Sequence, residues 1–359
     1  MSDRLLVSTR KGLFDFKRSA SGWNAAPPHF LGSPVSMSLR DARDGALYAA
    51  LDLGHFGVKL HRSDDDGSTW NEIATPSYAG VEADEGKDEP PSLKLIWSLE
   101  IGSYPGELWA GTLPGGLFKS TDRGETWTLN RPLWDQPSRA KWFGGGYDTP
   151  GIHSICLDPR DPEVIDVAVS CGGVWRSTDG GDSWTVQSEG MWAAYMPPEV
   201  KDDPAIQDPH RMVRCAAAPD ALWAQHHNGV FRTTKGVGHW SDVVLPGSSF
   251  GFPVAVHPKD PNTAWFAPAV KDEFRYPVDG KFVVAKTTDG GQSFRLIDKG
   301  LPKGASYDLI YRHGLDVDDS GDRLAMGSTT GNLWLSEDGG EGWQAISGHL
   351  PPIYAVRFV

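Results

Sequence analysis

Seven times along this chain a tight polar turn leads to an aromatic residue, and five of those turns share one pattern, Ser/Thr-x-Asp-x-Gly-x-x-aromatic. The five begin at Ser63, Ser120, Ser177, Thr287 and Ser336 and end at Trp70, Trp127, Trp184, Phe294 and Trp343. A sixth, from Thr233 to Trp240, has Lys235 in the Asp position, and a seventh keeps only Gly22 and Trp23. Self-similarity at a long period fixes the architecture before any other feature is weighed. From Trp23 to Trp343 the six steps average about 53 residues. Propeller repeats usually take ~40–50 residues, so loops account for the excess.

The turn has a physical job. Its Asp can accept hydrogen bonds from N–H groups of its own loop. Its Gly supplies a positive φ, and the aromatic ring packs between sheets. Before each turn lie short alternating or apolar runs, such as Leu117-Phe118 and Val174-Trp175. Earlier come Leu108-Trp109-Ala110 and its counterparts. Earlier still are runs at 95–101, 152–157, 212–217, 252–256 and 312–317. With the strand that carries the aromatic, each unit has four strands. Four-stranded antiparallel units repeated about an axis form a propeller. The reading is therefore an all-β chain, with residues 1–359 forming a single domain: a seven-bladed β-propeller. Residues 353–359 would join the N-terminal blade and close the ring, leaving no open sheet edge.

Bulk composition agrees and excludes several partners. Aromatics make up 11% of the chain, with 15 Trp, 42 Gly and 27 Pro, the profile of short strands and tight turns. A net charge of −13 argues against nucleic acid or an anionic membrane surface as partner. No apolar run is long enough to span a membrane. The first residues enter a strand pattern without an apolar leader, so a cytoplasmic protein is expected. Cys156, Cys171 and Cys215 are odd in number and lack Cys-x-x-Cys spacing. A disulfide framework or zinc knuckle is therefore not expected.

The repeated turns resemble those of the Asp-box, or bacterial neuraminidase repeat, β-propellers. The phrases Ser8-Thr-Arg-Lys-Gly-Leu-Phe14, His153-Ser-Ile-Cys-Leu-Asp-Pro159, Gln225-His-His-Asn-Gly-Val-Phe231 and Phe250-Gly-Phe-Pro253 are similar to the sialidase-like, glycosyl-hydrolase-like members of that group. The resemblance implies a propeller whose boxes face away from the ligand, and chemistry on a glycosidic bond. A Phe-Arg-Ile-Pro motif is absent; Phe252-Pro253 lacks its Arg, so no sialidase catalytic residue is carried over.

The irregular segments point to one mouth. Segments 75–92, 131–150 and 188–211 far exceed the usual ~4–6 residues for a connection. Two of them carry aromatics: Trp134, Trp142, Phe143 and Tyr147, then Trp192 and Tyr195. Segment 75–92 forms an acidic rim with Glu82, Asp84, Glu85, Asp88 and Glu89. An oversized loop at 269–280 carries Lys271, Asp272, Glu273 and Arg275. Aligning the innermost strands puts Trp97, His153, Val213, Phe252, His313 and Tyr354 at one level. Matching loops add His55, His226 and His227, and Arg10 with Lys11. Neighbouring strand residues point to opposite faces, so only one of His226 and His227 can face the axis.

Cations hold carboxylates and aromatics cover sugar faces, so the expected ligand is small, polar or anionic, with carbohydrate in view. In an enzyme, Glu273 or Asp272 would be acid/base, and His153 or His227 would shuttle protons. Arg10 and Arg275 would clamp a carboxylate. Lys11, Trp97, His313 and Tyr354 would bind substrate. No cofactor is required by this reading. A ring of His153, His227 and His313, with Glu273, is the candidate set for a divalent metal in a metal-dependent hydrolase or lactonase. The remaining alternative is a binding or assembly propeller without chemistry, like the factors that help assemble photosystem II.

Overall fold

The computed structural model describes residues 1–359 apart from 85 and 87, so Glu85 of the acidic rim lies outside the described residues. Seven antiparallel sheets of four strands each form the ring. The last strand, Ile353–Phe358, pairs with Arg4–Thr9 in antiparallel register, Leu5 opposite Phe358 and Val7 opposite Val356. The two ends of the chain thus share blade one, and blades two to seven follow in order. Among the described residues no helix is long and apolar enough to cross a membrane.

The polar turns fold as their chemistry requires. In the first, Ser63 Oγ donates to Asp65 Oδ1 at 2.8 Å and accepts from the Gly67 N–H at 2.8 Å. Asp65 in turn accepts from Thr69 N at 2.8 Å and from Thr69 Oγ1 at 2.7 Å. The turns starting at Ser120, Ser177, Thr287 and Ser336 repeat the Ser/Thr-to-Asp and Gly-to-Ser/Thr bonds. Where Lys235 replaces Asp, Thr233 Oγ1 instead donates to the Gly236 carbonyl at 2.7 Å.

In three turns the terminal aromatic latches its blade to the one before it by a hydrogen bond. Indole N–H groups of Trp127, Trp184 and Trp240 donate to Ala74 O, Asn130 Oδ1 and Gln187 O at 2.9–3.0 Å. Trp109, Trp175, Trp223 and Trp265 are fully buried. Burying such rings removes a large apolar area from water and dominates the packing between blades.

One irregularity recurs at the inner end of the blades. Pairing between the first and second strands skips a residue at Ser36, Trp97, His153 and His210, and two residues, Phe252 and Pro253, in blade six. The same shift falls at Tyr354 in blade one. A bulge re-aims the side chain it carries, so six blades offer one off-register side chain to the axis. In blade five that residue is His210. The innermost strand there is Pro209–Arg214, three residues earlier than 212–217, and Val213 is displaced from the shared level. The apolar pair Met212-Val213 marks the middle of this strand, not its start.

The ring also has a floor. His313 Nε2, in blade seven, meets the His153 carbonyl, in blade four, at 2.9 Å. The Arg211 guanidinium donates to the same carbonyl at 3.3 Å.

Candidate functional site

Above that floor lies a cavity of about 810 Å³. Trp97, Asp208, His210, His227, Phe252, Arg275, Tyr311, Arg312, His313 and Tyr354 contribute to its wall, together with 143–147, 248–250 and 271–273. The long segments 131–150 and 188–211 and the loop of blade six therefore do reach one mouth.

Asp208 organises the deepest part. It is 3% exposed. Its Oδ1 accepts from Ser170 Oγ and from the Cys171 N–H, each at 3.1 Å. Cys171 holds a positive φ of 49°, and that conformation turns its N–H toward the carboxylate. Oδ2 faces two imidazoles, His210 Nε2 at 3.3 Å and His227 Nδ1 at 3.4 Å. Burial pushes the Asp208 carboxyl up, but His210, His227 and Arg312 outweigh it and hold it well below the usual carboxylate range. Burial outweighs the carboxylate beside it and holds the His210 imidazole below its ordinary value. His210 stacks on Phe252 with ring centres 4.5 Å apart, and Tyr195 meets His227 edge-on at 4.8 Å. Burial, reinforced by Asp208, pushes the Cys171 thiol up, away from a nucleophilic thiolate.

Arg312 supplies the opposing charge. The residue is 7% exposed, its Nε is buried without a partner, and it makes no hydrogen bond or ion pair among the described residues. It lies 4.6 Å from the Trp97 ring centre and 5.2 Å from that of Phe252. Arg275 approaches Phe252 from the loop side at 5.4 Å and is paired with Asp272 at 2.6 Å. Glu273 pairs with Lys271 at 3.2 Å, and its side chain is 68% exposed. Its own backbone N–H and Lys271 hold its carboxyl below the usual range. Burial raises the phenols of Tyr147 and Tyr195, which stay protonated.

The residues expected from sequence divide accordingly. Trp97, His227, Asp272, Glu273, Arg275, His313 and Tyr354 line the cavity. His153 does not. It is fully buried, with Nδ1 against Ser154 Oγ at 2.9 Å and Nε2 donating to the Pro209 carbonyl at 2.7 Å. Both ring nitrogens are engaged, and burial holds the ring well below the ordinary imidazole value, so a proton shuttle has no free nitrogen here. Arg10 and Lys11 sit exposed on the first turn of blade one, outside the wall. His55 is exposed on a short 3-10 turn, and His226 is buried behind the wall, accepting from the Asp208 N–H at 3.0 Å.

The expected metal set of His153, His227 and His313 is not assembled either. His153 and His313 spend Nε2 on backbone carbonyls. Among the described residues the one group of three with mutually close donor atoms is Asp208, His210 and His227, all within 4.8 Å. Asp208, His210 and Arg312 were missed from sequence. The bulge signal that would have found His210 is a pairing irregularity and has no local sequence mark.

The fold is shared with several known β-propeller proteins. No protein-family model matches it. It is similar to the xyloglucanase Xgh74A of Acetivibrio thermocellus, 30% identical over 149 residues, which are 39% of this chain and 16% of that protein. It is also similar to a sialidase of Bacteroides fragilis, 26% identical over 161 residues, covering 37% and 29% of the two chains. A third relative is the photosystem II assembly lipoprotein Ycf48 of Synechococcus, 25% identical over 171 residues, 46% and 40% of the two. The chain thus spans well under two thirds of the length of each. Among solved structures, an ancestral GH74 enzyme superposes with a TM-score of 0.61 at 17% identity, covering 84% of this chain and 36% of that one. YCF48 bound to D1 peptide gives 0.54 at 14% identity, covering 93% and 87%. These likenesses show a β-propeller related to propellers of the glycoside-hydrolase, sialidase and Ycf48 kinds.

Proposed function

We propose that the funnel is the active site of a carbohydrate-processing enzyme, a glycoside hydrolase or lyase, whose small polar substrate carries a carboxylate. The observation that carries this reading is Arg312, a guanidinium buried among aromatic rings with no protein anion bonded to it. Such a group is costly unless a ligand completes it, and a planar carboxylate matches its fork of donors. Arg275 adds a second cation, and Tyr354 adds an aromatic side chain to the wall against which a sugar ring can pack. The repeated turns, on this reading, are Asp-boxes serving the scaffold.

The charge states favour elimination over two-carboxyl hydrolysis. Asp208 and Glu273 are both held ionised, so neither serves as the general acid that glycoside hydrolysis needs. In an elimination, Glu273 takes the proton from the carbon next to the substrate carboxylate. The C–H electron pair becomes a C=C bond, the C–O bond breaks, and the leaving oxygen collects a proton from a phenol such as Tyr147.

The test is to incubate the full chain with uronate-bearing oligosaccharides and, in parallel, with xyloglucan oligosaccharides. Product is followed by reducing ends and by the ultraviolet absorbance of an unsaturated sugar. Cleavage of uronates, lost in Arg312→Met and in Glu273→Gln, is the expected result. Preference for xyloglucan, or undiminished turnover in both variants, would overturn it. A second reading rests on the Ycf48 likeness and on the loop carboxylates already being paired to Lys271 and Arg275. There the cavity binds a carboxylate ligand without altering it: the same assay yields no product, while calorimetry with the uronate shows saturable binding.

A further inference from the structure

The Asp208 group holds more than a hydrogen-bond network. His210 Nδ1 lies 2.7 Å from the Gly251 carbonyl. A carbonyl only accepts, so the ring proton sits on Nδ1. In the neutral imidazole the Nε2 lone pair then points at Asp208 Oδ2 from 3.3 Å, acceptor against acceptor. His227 Nδ1 meets the same oxygen at 3.4 Å. A contact of this kind is relieved by a cation between the atoms, or by a second proton on the imidazole.

We propose that Asp208 Oδ2, His210 Nε2 and His227 Nδ1 hold a divalent first-row transition metal, with zinc as the reference ion. Three observations support this. Two of the three edges fit: a tetrahedron with arms of ~2.1 Å has edges of about 3.4 Å, the two carboxylate-to-imidazole separations are 3.3 and 3.4 Å, and the two imidazole nitrogens lie within 4.8 Å of one another. The supports behind the ligands are also in place. His210 gives its other N–H to a backbone carbonyl, and Asp208 Oδ1 is held by Ser170 and Cys171, the outer contacts that orient metal ligands. Finally, all three residues line the cavity. A fourth position therefore opens toward substrate, as in metal sites that act on a ligand. Two imidazoles and one carboxylate suit zinc, manganese or iron better than calcium or magnesium.

The site also accounts for the charge plan of the cavity. Asp208 is the carboxylate whose charge favours the ionised Arg312, against burial and the nearby Arg275. With a divalent ion bound, that end of the cavity becomes strongly cationic. A ligand carboxylate lying between the ion and Arg312 would answer both. This inference stands without the proposed reaction, because metal content is measured on the protein alone.

The experiment uses the full chain without a histidine tag, stripped with a chelator and desalted. Zinc is titrated by calorimetry, and cobalt is added separately as a visible-absorption probe of four-coordinate geometry. The expected results are one equivalent of zinc per chain and a tetrahedral cobalt band. His227→Gln and His210→Gln should each weaken zinc at least tenfold, while the exposed His349→Gln leaves it unchanged. If either site variant misfolds, the cobalt band of the parent protein decides the matter. No stoichiometric zinc and no cobalt band, or affinity unchanged in folded His227→Gln and His210→Gln, overturns the proposal and leaves an imidazolium–carboxylate pair in its place.

Discussion

Arg312 of blade seven lies face-on to Trp97 of blade three, its guanidinium carbon 4.6 Å from the ring centre. Two residues far apart in sequence thus share one wall of the funnel. A cation over an indole contributes ~0.5–2 kcal/mol, more when water is excluded. That does not replace the hydrogen bonds that a buried guanidinium lacks.

Arg312→Met should therefore separate stability from binding. The apolar side chain fills similar space among Trp97 and Phe252 without a charge to desolvate, so the unfolding midpoint in urea should hold or rise. Affinity for a carboxylate ligand should fall about 10- to 100-fold, the loss of one charge-assisted contact of ~1.5–3 kcal/mol. Calorimetry with a uronate, run beside urea unfolding, checks both arms.

His153→Phe should behave in the opposite way. The ring ties blade four to blade five through the Pro209 carbonyl, and removing it leaves a buried acceptor unpaired. A cost of about 1–3 kcal/mol in unfolding free energy is expected. Turnover per folded molecule should stay level, because the residue lies outside the cavity wall.

The polar turns bear load through their first residue. Ser120 Oγ is the partner of the buried Gly124 N–H at 2.9 Å. Ser120→Ala strands that donor, and a loss of roughly 1–3 kcal/mol should appear in denaturant unfolding. Thr233→Val should cost less where Lys235 has already broken the pattern, since no Asp depends on that hydroxyl.

Asp316, on the innermost strand of blade seven, gives a pH signature. Burial, only partly offset by the Phe358 N–H and Arg357, pushes its carboxyl up to about 6. A carboxyl raised on folding binds its proton more tightly in the native state. Its contribution to stability is therefore unfavourable above pH 6 and becomes less so as pH falls toward the ordinary value near 3.8. Asp316→Asn should stabilise the protein at pH 7.5 by up to ~3 kcal/mol and make no difference at pH 3.5. Thermal unfolding of both proteins at the two pH values checks the sign.

The propeller was legible because its signal is local. A Ser–Asp–Gly turn closes on itself within eight residues, so its chemistry can be recognised without knowing any neighbour. The seven-fold count and the closing strand followed from it. The site was legible only as loops. Trp97, Phe252 and Tyr354 were aligned to the axis, while blade five was aligned three residues late and offered Val213 for His210. The cause is that Pro209-His210-Arg211 reads as polar loop, although it pairs with the 225–226 stretch. Arg312 was hidden for a related reason. It sits beside His313, outside the regular ladder, and only the packed blades show that its charge points to a shared wall and Arg10 does not.

The bond from His313 to the His153 backbone spans the ring from one side to the other, and it turns the tunnel expected of a propeller into a cup. A cup has one doorway. A polymer cannot be threaded through it, and what enters is either a short molecule or the terminus of a long one. Whatever is made inside must leave by the route through which its precursor arrived, so departure and the next arrival compete for the same opening.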